Sequence, residues 1–66
     1  MSISEKQLKE LKKKGISDDI LREADIFLTE NKFELLYLTD LGAGEYRVMF
    51  RRPDGKGDAR IFNYPN

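Results

Sequence analysis

The spacing of apolar residues changes at Phe33, and that change decides what the chain can become. Before it, Leu8 and Leu11, then Ile20, Ala24, Phe27 and Leu28, recur at the three- and four-residue intervals of one helix face. After it, Tyr46, Val48 and Phe50 alternate with Arg47, Met49 and Arg51, the two-residue period of a strand with one buried side. The first half therefore packs as helices and the second as a sheet.

Local signals set the boundaries. Ser4-Glu-Lys-Gln7 fits a capping box, with Ser4 as N-cap and Gln7 at the third helical position. Gly15 supplies a left-handed stop, which makes Ile16 and Leu11 the apolar pair of a Schellman turn. Ser17 caps a second helix whose first turn carries Asp18 and Asp19, favourable at the positive end of the helix dipole, and Asn31 is its expected left-handed stop. Gly42-Ala-Gly44 and Pro53-Asp-Gly55 read as hairpin turns. The spacing predicts helices over 4–14 and 17–31 and strands over 33–40, 45–52 and 58–64. These elements make one α+β domain over residues 1–66, with two N-terminal helices packed on one face of a three-stranded antiparallel β-meander, α-α-β-β-β.

Composition narrows the chemistry. A chain of 66 residues buries only about 60% of its unfolded surface, and with no Cys it has no disulfide or thiolate metal site to reinforce it. It has no His either, which removes the commonest general base and metal ligand. The expectation is a protein that is not an enzyme and uses no metal and no cofactor. The N-terminal residues lack an apolar run of signal-peptide length and no stretch is apolar enough to span a bilayer, so the expected setting is the cytoplasm, away from membranes.

Residues 12–21, KKKGISDDIL, resemble the turn of a DNA-reading helix-turn-helix, with Leu21 and Ala24 at its later apolar positions. Lys14 stands where that motif needs an apolar residue before the glycine. Residues 8–28 also resemble the two-helix module known as the short C-terminal domain, which would imply interaction or oligomerisation, although Ile20-Leu21 replaces its Glu-aromatic pair. A glycine stop followed by a serine cap generates the same letters in any tight helix-helix connection. Charge also opposes DNA readout by the second helix. Residues 1–16 carry five Lys against two Glu, residues 17–45 two basic against eight acidic, and residues 46–66 five basic against two acidic residues. The supposed reading head would thus bring carboxylates to phosphates.

The first strand breaks the alternation rule, since Phe33, Leu35 and Tyr37 fall on one side and Leu36 and Leu38 on the other. Large apolar residues are then left outside whichever side meets the helices. With Tyr46, Val48 and Phe50 inward, the expected outer face carries Tyr37, Arg47, Met49 and Arg51. Arg60 and Phe62 join it if Ile61 lies opposite Val48; the other register turns Phe62 inward. Arg with Met and aromatics is the composition of protein-interface cores. The leading expectation is a non-enzymatic module, of the kind used as small regulators or phage and mobile-element accessory proteins, that binds a protein partner or a second copy through this face. Nucleic-acid binding through the same Arg-aromatic face, or through a degenerate helix-turn-helix, is the alternative. The carboxylates Asp18, Asp19, Glu23 and Asp25 of the second helix form a second candidate surface.

Overall fold

A computed structural model describes residues 2–64. Helices α1 (Glu5–Lys13) and α2 (Asp18–Asn31) precede strands β1 (Glu34–Gly42), β2 (Glu45–Arg51) and β3 (Gly57–Asn63). The strands form one antiparallel sheet in the order β1-β2-β3, which gives the expected α-α-β-β-β fold. No helix among the described residues is long and apolar enough to cross a membrane.

The helix ends follow their sequence signals, with one exception. Ser4 accepts from the Gln7 amide at 3.1 Å, and the Gln7 side chain accepts from the Ser4 amide at 3.0 Å, closing the capping box. Beyond α1, Gly15 takes φ +90° and the Ile16 and Gly15 amides donate to the Leu11 and Lys12 carbonyls, the two bonds of a Schellman turn. The exception is the end of α2. Lys32, not Asn31, adopts the left-handed conformation, at φ 58°. Asn31 stays helical and donates its side-chain amide to the Phe27 carbonyl, while the Phe33 amide closes the turn on the Leu28 carbonyl.

One core joins helices and sheet. Ile3, Leu11, Ile16, Ile20, Leu21, Ala24 and Leu28 pack with Leu35, Leu38, Val48 and Phe50. On β2 the inward side is Tyr46, Val48 and Phe50, as the alternation predicts. Phe27 of α2 lies edge-on to Phe33, Phe50 and Phe62, with ring centroids 5.6, 5.4 and 5.6 Å away. Ile3 is held in this core by a clasp: Asp25 accepts from the backbone amides of Ser2 and Ile3 at 2.8 and 3.2 Å.

A β-bulge resolves the conflict in β1. Leu35 pairs with Phe50 and Tyr37 with Met49, so Leu36 has no partner and the alternation restarts after it. Leu35 and Leu38, three apart, therefore both reach the core, and Tyr37 points outward.

Candidate functional site

The turn between β2 and β3 decides which residues the outer sheet face presents. Pro53-Asp54-Gly55 forms a tight turn in which the Gly55 amide donates to the Arg52 carbonyl at 2.9 Å, with Gly55 at φ +87°. The Arg52 amide donates to the Lys56 carbonyl at 2.8 Å, and counting outward from this closing pair places Val48 opposite Arg60. Ile61 lies opposite Arg47 and faces outward.

This corrects the placement of two expected site residues. Directly opposed residues share a face, so Arg60 and Phe62 stand with Val48 and Tyr46 on the helix side. Phe62 packs against the core. Arg60 stays exposed at its margin, its guanidinium 4.7 Å from the Phe27 ring centroid and 5.1 Å from that of Phe62. The turn sequence already held the signal, because the Pro-Asp-Gly closing pair fixes the register once the loop is counted.

The outer face holds the other four expected residues, Tyr37, Arg47, Met49 and Arg51, with Ile61 added. Tyr37 is 58% exposed, Met49 36% and Ile61 46%, and Tyr37 and Met49 are paired side by side. Arg47 lies between Thr39 and Ile61, while Arg51 is 4.0 Å from Glu34 on the neighbouring strand. Lys14, at the end of α1, reaches over the Tyr37 ring at 5.8 Å, so the lysine that spoils the helix-turn-helix match lies beside this face.

The acidic residues of α2 do not make a single surface. At about 100° per residue, Asp18 and Asp25 share one side of the helix, and Asp19, Glu23, Ile26 and Glu30 another. Asp18 is 3.6 Å from Lys12, Asp19 is 3.5 Å from Arg22, and Asp25 is taken up by the N-terminal clasp. Glu23 and Glu30 make no ion pair within 4.0 Å among the described residues. They line, with Ile26, one wall of a groove of about 370 Å³ whose other wall is β3.

One group at the β1 edge is paired with a helix, and it fixes the bonding direction of the whole sheet. At β1, Gln7 of α1 donates its side-chain amide to the Leu35 carbonyl at 3.2 Å, so that carbonyl points away from β2. In an antiparallel ladder the bonding direction alternates along each strand. Phe50, opposite Leu35, therefore bonds toward β3, as do Val48 and Tyr46, and the Tyr64 amide continues the series by donating to the Gly44 carbonyl at 2.7 Å. It follows that the backbone groups of Gly57, Ala59, Ile61 and Asn63 point away from the sheet. The Asp58 side chain accepts from the Ala59 amide at 2.8 Å; among the described residues the others have no partner.

No protein-family model, curated protein or solved structure matches the chain.

Proposed function

We propose that this domain is a non-enzymatic protein-interaction module that binds a protein partner, or a second copy of itself, through the outer face of its sheet. The observation that carries the reading is the exposed cluster of Tyr37, Met49 and Ile61 on the side opposite the helices, flanked by Arg47 and Arg51. Aromatic, Met and Arg side chains together favour binding because they offer large contact area and directional charge on one patch. The side chains stand on paired strands, so the backbone needs little ordering on contact and the cost falls on side-chain rotamers alone. The proposed setting is a cytoplasmic regulator or accessory protein.

Affinity capture with mass spectrometry identifies the partner, and sedimentation of the purified domain reports whether it is a second copy. The binding residues are tested by replacing Arg47 and Arg51 together with Glu. The fold should survive, since exposed substitutions shift stability by less than about 0.5 kcal/mol each. Affinity should fall by at least about 2 kcal/mol, because reversed charges at an interface are mispaired. Full affinity in this variant would refute the reading. Nucleic acid as the partner would show instead as a gel shift that weakens steeply with salt.

A further inference from the structure

We propose that the free edge of β3 and the groove beside α2 form a second binding site, one that takes an extended basic peptide as a fourth strand. The site shares only Ile61 with the outer face, and uses its backbone rather than its side chain. Its first element is the edge itself, where the Ile61 and Asn63 amides and the carbonyls of Ala59, Ile61 and Asn63 point outward without partners among the described residues. Unpaired strand groups of this kind template the addition of another strand.

The second element is the groove. An added strand would alternate, sending every second side chain to the helix side of the sheet, into the space between β3 and α2. Ile26, 46% exposed, lies there with Phe27 and Phe62, and the Arg60 guanidinium is 4.7 and 5.1 Å from the two ring centroids. Ile26 and the two rings make an apolar seat for one side chain, with the Arg60 charge at its margin. Glu23 and Glu30 stand three residues before and four after Ile26 on the same wall, about 10 Å apart along the helix. Groove-facing positions four residues apart on a strand are about 13 Å apart, a span that two long cationic side chains adjust to. The matching sequence is therefore basic-x-apolar-x-basic.

Charge selects this occupant over a second copy. Antiparallel pairing of β3 with its own symmetry mate would place both α2 helices on the same side of the joined sheet, flanking the seam. Each copy would then bring a lining of two glutamates and one arginine, Arg60, against the identical lining of the other, a net negative charge on both sides that a basic peptide instead neutralises.

The test is a heteronuclear NMR titration of the isotope-labelled domain with the capped peptide Ser-Lys-Thr-Leu-Thr-Lys-Ser. Shifts should concentrate at Ala59–Asn63 and along Glu23–Glu30. In the added strand the Thr residues bond to β3 and the Lys and Leu residues face the groove. N-methylation of both Thr amides should therefore abolish binding, while N-methylation of the Leu amide spares it. Exchanging both Lys for Glu in the peptide, or Glu23 and Glu30 for Lys in the domain, should each weaken binding by about tenfold or more. The Arg47→Glu, Arg51→Glu variant should bind the peptide normally, which separates failure of this site from failure of the outer face. No shifts at about 1 mM peptide, shifts confined to the outer face, indifference to Thr N-methylation, or dimerisation through β3 would each overturn the proposal.

Discussion

Deleting Leu36 should leave this domain folded with its sheet in the same register. The bulge pairs Leu35 with Phe50 and Tyr37 with Met49, so Leu36 is the one residue in that stretch without a partner. Without it, β1 reads Leu35 inward, Tyr37 outward and Leu38 inward, a regular strand. The cost is the lost burial of a side chain that is 43% exposed, about 1–1.5 kcal/mol out of the roughly 1.5–3 kcal/mol for complete burial of a leucine. A regularised ladder offsets part of this, since a backbone hydrogen bond contributes about 0.5–1.5 kcal/mol. The net change should stay within about 1 kcal/mol. For 66 residues, an unfolding entropy of about 2.1 cal/mol/K per residue converts that into a fall in Tm of no more than about 7 °C. Deleting Met49 is the contrast. Strand β2 has no bulge beside it in its ladder with β3, so Val48 and Phe50 would become neighbours and point to opposite faces. Expelling Phe50 from the core costs about 3–5 kcal/mol, comparable with the whole stability available to a domain of this size. Circular-dichroism melts and urea denaturation of both deletions decide the matter. If the Leu36 deletion unfolds the chain while the Met49 deletion is tolerated, the assignment of faces is wrong.

Gln7→Glu should keep the acceptor for the Ser4 amide but lose the donor to the Leu35 carbonyl, costing about 1 kcal/mol in urea denaturation, and Gln7→Ala should cost up to about 2 kcal/mol. A Glu variant as stable as the parent would show that the edge contact contributes nothing. Lys32→Gly should stabilise the domain by about 0.5–1 kcal/mol in the same assay, because a β-carbon at φ 58° is strained and glycine is not; no gain would refute the strain argument. Burial raises the Tyr64 hydroxyl above its ordinary value of 10.0, with the nearby carboxylates Glu23 and Asp19 adding to the effect. The folded state then holds this proton more tightly than the unfolded state, so Tyr64 contributes stability below pH 10 that is lost as pH rises through its raised value. Tyrosinate absorbance, compared between the parent and Tyr64→Phe, should show its ionisation delayed, and titration at the ordinary value would contradict this.

Element order, three of the four helix ends and the inward side of β2 are legible in the sequence, because each rests on residues within a few positions of one another. A capping box needs only Ser4 and Gln7, and a Schellman turn only Leu11 to Ile16. The outer face was readable in the same way for Arg47, Met49 and Arg51, whereas Tyr37 reaches it only through the bulge that separates it from Leu35. Arg60 and Phe62 were expected there too and lie on the other side, because their side of the sheet depends on counting through the Pro53-Asp54-Gly55 turn. Lys32 was also unexpected as a left-handed residue, and here the reason is tertiary: α2 must end where Phe33 can turn back to stack on Phe50, 4.4 Å between centroids, and Leu28 must stay in the core.

Three features had no local signal. The bulge at Leu36 arises because Leu35 and Leu38 both have room in the helix-covered core, and one unpaired residue costs less than exposing either leucine. The acidic residues of α2 look continuous in sequence, yet Asp25 is drawn into holding Ser2 and Ile3 from the far end of the chain while Glu23 is turned toward β3. Gln7 of α1 meets the Leu35 carbonyl at the β1 edge only once the chain is folded, and among the described residues no helix side chain makes such a bond at the β3 edge. The sequence alone determined the elements and their apolar sides, since propensity and period act over one or two turns of chain. Tertiary structure decided which polar groups remain free to bind, since contacts such as Asp25 with Ser2 and Ile3, and Gln7 with Leu35, join residues more than twenty positions apart.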